Sequence, residues 1–124
     1  MNTPLLLYQI AFWVNVAALM TFFSMEIFWF IKGKGPGNIP TLLLGFFIQN
    51  VPFLILAVSM YFQAVPEGWI GVLRLMFLLI CVPINLWLHY HGDKGGNSVG
   101  MLMVFFLLAS IPLIVIMEVI VALY

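Results

Sequence analysis

The chain has 124 residues, of which 65% are hydrophobic and 6% are charged, and its mean hydropathy is +1.22. This composition is far more apolar than that of soluble domains and predicts an integral membrane protein. Four basic and four acidic side chains give a formal net charge of zero, which leaves no basic surface for nucleic acid. The single cysteine, Cys81, excludes an internal disulfide and a thiolate metal cluster.

Four apolar segments are long enough to cross the hydrocarbon core of a bilayer as helices, which takes about 20 residues each. The first is about twice as long as the apolar core of a signal peptide and follows no basic residue, so we expect it to be retained. The predicted fold class is all-α, with residues 1–124 forming a single domain. Its four antiparallel transmembrane helices form an up-down bundle joined by short polar turns. The predicted helices span residues 5–31, 41–62, 69–90 and 99–124.

The orientation in the membrane rests on five charged side chains in the predicted loops. The positive-inside rule places the first and third loops in the cytoplasm and both termini on the non-cytoplasmic side. These side chains are Lys32 and Lys34 in the first loop, Glu67 in the second, and Asp93 and Lys94 in the third.

Three of the predicted helices contain a proline behind a β-branched residue: Val51-Pro52, Val82-Pro83 and Ile111-Pro112. Each proline removes one bond of the helix ladder and is expected to kink its helix. Such kinks are either an ordinary feature of membrane helices or part of a substrate pocket or gate.

Small and polar residues form one stripe along each predicted helix, as is typical of faces where membrane helices pack together. Asn50 lies off its stripe, which suggests a second contact for that helix. The stripes are Ala11, Asn15, Ala18, Phe22 and Glu26; then Gly45, Gln49, Pro52, Leu56, Ser59 and Gln63; then Arg74, Leu78, Cys81 and Asn85; and finally Gly100, Met103, Leu107, Ser110, Ile114 and Glu118.

Two ionisable residues of the predicted spans match in depth. Arg74 lies five residues into the third helix, and Glu118 lies six residues before the end of the fourth. A charge facing lipid alone would cost several kcal/mol, and antiparallel helices bring these two residues to the same level. The sequence therefore predicts an Arg74 to Glu118 ion pair, either purely structural or functional.

Glu26 lies toward the opposite membrane face, with no lysine or arginine of the second or fourth helix at its depth. A carboxylate in that position can carry a proton or bind a cationic substrate. Alternatively, it reaches the headgroup zone or bonds to Asn or His of a neighbouring helix.

His89 and His91 end the third helix. Residues two apart point to different sides of a helix and cannot hold one ion together, whereas both can stabilise the end of the helix dipole. A sharper hypothesis adds Met101 and Met103, because imidazole and thioether groups together suit copper. The sequence leaves the cofactor unknown, and lipid contacts are expected.

The sequence contains no glycine-rich phosphate loop, nucleophile elbow or HExxH motif, so it predicts no catalytic residues and gives no indication of an enzyme. The first hypothesis for its function is an accessory or scaffold subunit of a larger membrane complex. Its partners would be membrane lipids and other integral membrane subunits. The short loops and the polar groups Gln49 and Asn50, on two faces of one helix, favour it.

Two alternatives remain. A transporter or channel made from copies of this chain would use Glu26, Arg74 and Glu118 together with a row of amides near mid-membrane. Four helices are few to enclose an aqueous path, so a solitary monomer is the least favoured form of a carrier. A redox or metal-binding subunit would use His89 and His91. The amides of the row are Asn15, Gln49, Asn50 and Asn85.

Overall fold

The computed structural model describes residues 3–33, 38–62, 68–91 and 96–123. Their secondary structure is entirely helical, which confirms the predicted all-α class. The elements are α1 (Thr3–Ile31), α2 (Ile39–Gln49), α3 (Val51–Phe62), α4 (Val72–His91), preceded by a 3-10 turn (Gly68–Gly71), and α5 (Gly96–Leu123).

Three stretches within the described residues are each long and apolar enough to cross a membrane: Thr3–Ile31, Trp69–His91 and Met101–Leu123. The second predicted span differs, because α2 and α3 meet at a bend of 72°. The described part of the chain thus has three candidate spans, or four if the bent pair counts as one. These helices indicate a small integral membrane protein.

Some sequence predictions fall outside the part of the chain described here, and the predicted orientation of the termini stays a prediction. The residues concerned are Lys34, Gln63, Glu67, Asp93, Lys94 and Tyr124, and the predicted burial of Gly100 lies outside the description as well.

Local signals set the ends of the first two helices. Gly33 follows the end of α1 with φ +77, a conformation that only glycine adopts without cost. Asn38 caps α2, since its Oδ1 accepts a hydrogen bond of 2.9 Å from the backbone N–H of Thr41. Pro40 lies in the first turn, where a missing N–H costs nothing.

The second span is broken at Asn50, two residues before Pro52. Proline has no N–H for the ladder, so a kink is expected there. Asn50 turns the kink into a break: its backbone N–H and its Nδ2 both donate to the carbonyl of Phe46, at 3.1 and 2.8 Å. By contrast, α4 and α5 continue through Pro83 and Pro112 as single helices.

The break corrects two details of the predicted stripe on the second helix. Gly45 is exposed, whereas Asn50 is fully buried and joins the inner contact instead of serving a separate one. A stripe drawn at 100° per residue assumes a continuous helix, and the bend at Asn50 removes that assumption. The other described stripe residues are buried or half-buried.

Contacts along the helices give their relative directions. Tyr8 bonds to Met60 and Asn15 to Phe53, so α1 and α3 are antiparallel. Arg74, near the start of α4, meets Glu118, near the end of α5. α1 and α4 run parallel, since Glu26 meets His89 near the ends of both helices. All five helices contribute to one apolar core.

Phenylalanines fill the middle of this core. The ring of Phe53 is fully buried and lies 5.3 Å from Phe22, 6.1 Å from Phe77 and 6.5 Å from Phe106, measured between centroids. Phe53 therefore contacts α1, α4 and α5 at once. Offset or tilted aromatic pairs of this kind add to the dispersion energy of packing.

We predict that Phe53→Ala lowers the free energy of unfolding in detergent by about 3 kcal/mol, because it leaves a cavity among three rings. Phe47→Ala is the matched control, since Phe47 is 51% exposed on α2. Thermal or denaturant unfolding followed by circular dichroism measures both. Equal losses in the two variants would contradict the central position of Phe53.

Candidate functional site

A charged cluster joins α3, α4 and α5 toward the end of the molecule where α1 starts and α5 ends, called here the termini side. Arg74 donates from Nε to Oε1 of Glu118 at 3.0 Å and from Nη2 to Oε2 at 2.9 Å. Ser59 donates to the same Oε2 at 2.6 Å. The side chains of Arg74 and Glu118 are 1% and 10% exposed, so the two-point contact lies almost out of reach of solvent.

The contact predicted between Arg74 and Glu118 is thus present in the structure, and Ser59 is an additional partner. Two parallel hydrogen bonds orient the guanidinium as well as neutralise it. Whether the pair does more than stabilise the fold stays a prediction.

A second cluster lies on the opposite side, next to the first loop, called here the first-loop side. Oε1 of Glu26 on α1 lies 2.7 Å from Nδ1 of His89 on α4. The imidazole is buried, stacks on Phe22 at 5.1 Å, and its backbone carbonyl accepts a hydrogen bond of 3.1 Å from Nε1 of Trp29. Of the alternatives for Glu26, the structure therefore shows the bond to a neighbouring histidine.

This pair differs chemically from the Arg74 and Glu118 pair. Imidazole accepts or gives up a proton under ordinary conditions, whereas guanidinium does not. Nε2 of His89 is buried and has no hydrogen-bond partner among the described residues. Glu26 keeps 22% of its side chain exposed, so the pair lies at the edge of the packed core.

Three amides form a third cluster at the break in the second span. Gln49 donates from Nε2 to Oδ1 of Asn85 at 3.0 Å, and Asn85 donates from Nδ2 to Oδ1 of Asn50 at 2.8 Å. The relay ends where Asn50 donates to the Phe46 carbonyl. Asn15, the fourth amide of the predicted row, stands apart and donates to the carbonyl of Phe53 at 3.1 Å.

The two histidines of the predicted copper set have other contacts in the structure. His89 points Nδ1 at Glu26, and the ring of His91 lies against Trp87 with centroids 4.6 Å apart. Met101 is 59% exposed. Among the described residues, no group of three or more His, Cys, Asp and Glu side chains is placed to hold a metal ion. The copper hypothesis stays a prediction.

The aromatic side chains around the Glu26 and His89 pair were not predicted as part of a site. Trp29 follows Glu26 by one helical turn, and Phe22 precedes it by one turn, so all three share a face of α1. That spacing was a usable signal. The sequence did not show that all three contact His89 on α4.

Comparison with protein-family models finds no match to this chain, and comparisons with curated proteins and with solved structures find no significant match. The class of protein therefore rests on the fold and the polar clusters. The helices indicate a small integral membrane protein, and seven polar side chains of its described residues are buried: Asn15, Gln49, Asn50, Arg74, Asn85, His89 and Ser110.

We predict that Glu118→Gln lowers the free energy of unfolding by about 3 kcal/mol, because it removes the carboxylate charge that faces the buried Arg74 guanidinium. The comparison is the double variant Arg74→Met with Glu118→Met. Replacing a whole buried pair by apolar side chains is often nearly neutral, so the double variant should be more stable than the single one.

Unfolding in detergent measures both variants against the unaltered protein. If Glu118→Gln unfolds at the same temperature as the unaltered protein, the pair does not stabilise this fold.

Proposed function

We propose that this protein is an accessory or scaffold subunit of a larger membrane assembly. The observation that carries the proposal is that buried polar side chains bond to one another within the chain. Arg74 and Glu118, and likewise Gln49, Asn50 and Asn85, bond to each other. Phenylalanine rings fill the level between these clusters. A protein with such an interior acts on other molecules through its outer surface.

The outward face of α1 supports this proposal. Ala17, Thr21 and Ser24 are exposed there, and both hydroxyls bond to the carbonyl four residues earlier at 2.8 Å. Small side chains allow a second helix to approach closely, and hydroxyls satisfied in this way tolerate an apolar neighbour. Beside them lies a shallow groove of about 350 Å³, lined also by Phe28 and Trp29. A transmembrane helix of another subunit fits this kind of surface.

The test is purification from the native membrane in mild detergent or lipid discs, followed by native mass measurement. We expect the chain to co-purify with other membrane polypeptides in a fixed ratio, because its outer surface is the part free to bind them. Ser24→Trp should lower that ratio by blocking close approach, whereas Leu79→Trp, at a position 76% exposed on α4, should not.

A monomer or a pure homo-oligomer under all mild conditions would contradict the scaffold proposal. If both tryptophan variants retain the partner equally, the partner binds elsewhere than on α1.

A second candidate function, a transporter built from several copies, is favoured by two specific observations. One is the imidazole and carboxylate pair of His89 and Glu26, which can exchange a proton. The other is the broken second span, since discontinuous helices commonly form substrate sites in transporters. Both features lie on the first-loop side.

For this second candidate, we predict that Glu26→Gln changes the pH profile of any flux across vesicles that contain the purified protein. The amide keeps the size of the side chain but cannot exchange the proton. Flux is followed with a pH-sensitive dye inside the vesicles, and Gln9→Glu, on the exposed surface of α1, is the charge control. An unchanged profile in Glu26→Gln would remove the proton-carrying role.

A further inference from the structure

The break at Asn50 separates two half-helices that are attached to the molecule very differently. α3 is hydrogen-bonded to its neighbours at both ends, through the Phe53 carbonyl and through Ser59. α2 is buried only along one stripe, formed by Leu42, Phe46 and Gln49. The remainder of α2 is exposed. α3 thus belongs to the core, whereas α2 lies against it.

The backbone does little to fix the angle between the two halves. Asn50 has φ −108 and ψ 19, outside the helical range, and Pro52 offers no N–H to continue the ladder. The bonds that remain across the break run from the Asn50 N–H to Phe46 and from the Leu54 N–H to Asn50. One or two residues at the end of an element are the usual location of a hinge.

Side chains supply the missing restraint. Asn85 on α4 accepts from Gln49, the last residue of α2, and donates to Asn50, the residue of the break. Because an amide has a donor and an acceptor at opposite positions, one side chain can hold both groups at a set angle. With α2 in the observed direction, Gln49 and Asn50 both engage Asn85.

α2 also lies next to the Glu26 and His89 pair. Its Phe46 ring packs on Phe23 of α1 with centroids 5.1 Å apart, and Phe23 lies one turn before Glu26. Its Gln49 meets Asn85 of α4, which lies one turn before His89. α2 therefore packs on α1 about one turn from Glu26, and its last residue meets α4 about one turn from His89.

We propose that α2 is a hinged lid on the first-loop side of the protein, that it turns about Asn50, and that the amides of Gln49, Asn85 and Asn50 form the latch that keeps it closed. Releasing the latch swings the start of α2 away from α4. The opening exposes the face of α1 and α4 where Glu26 and His89 meet. This inference concerns motion within the chain and is independent of whether the chain serves as a scaffold or a transporter.

Spin labels test the lid directly. In a Cys81→Ala background, nitroxides are placed at Ile39, 59% exposed at the start of α2, and at Leu79, 76% exposed on α4. Their separation is measured by double electron–electron resonance in lipid discs. We expect one narrow distance distribution, and in Asn85→Leu a second population at longer distance. α2 is about 16 Å long, so a turn of about 20° moves its start by roughly 5 Å.

Asn15→Leu is the matched control, because it removes an equally buried amide that bonds to α3 and not to α2. It should leave the distance distribution unchanged. Gln49→Leu should act in the same direction as Asn85→Leu, and it decides the question if Asn85→Leu does not fold. The proposal is overturned if the folded latch variants keep the distribution of the unaltered protein, or if Asn15→Leu produces the same second population.

Discussion

The structure depends on the need of polar groups inside a membrane protein to find partners within the chain. Hydrocarbon offers them none, and apolar packing alone does not distinguish one neighbouring helix from another, because lipid tails are as apolar as leucine. The polar contacts make that distinction here. Arg74, Glu118 and Ser59 join α3, α4 and α5 on the termini side, and Glu26 and His89 join α1 to α4 on the first-loop side.

The same constraint explains which contacts could be predicted from the sequence. Arg74 and Glu118 lie in consecutive spans, and consecutive spans joined by short loops are antiparallel, so counting residues gives matching depths. Glu26 and His89 lie in spans that are not consecutive. The up-down order makes α1 and α4 parallel, but nothing in the sequence pattern shows that they are neighbours, so the Glu26 carboxylate was left with several possible partners. The amides were found as a row, but their pairing depends on the same unknown neighbours.

The broken span shows a second limit of sequence reasoning. Pro52 predicts a kink in the second span. A bend of 72° requires more, because the groups freed by the bend need new partners. The side chain of Asn50 donates to the Phe46 carbonyl and accepts from Asn85 of α4, and only the first of these contacts is local in sequence. The misplacement of Gly45 follows from the same cause, since a helical wheel cannot be continued past a break.

The two ends of the molecule differ in the free energy that opening their polar contacts would cost. On the termini side, opening the contact between Arg74 and Glu118 would separate two opposite charges that are almost fully buried, which is among the most expensive changes a fold can make. On the first-loop side, the contacts are hydrogen bonds between neutral amides, each worth about 1 kcal/mol or less in a membrane, and a contact between an imidazole and a carboxylate. Tyr8 and Asn15 of α1 also donate hydrogen bonds to backbone carbonyls of α3. Opening the contacts therefore costs less free energy at the end where the half-helix α2 lies than at the charged cluster of Arg74, Glu118 and Ser59.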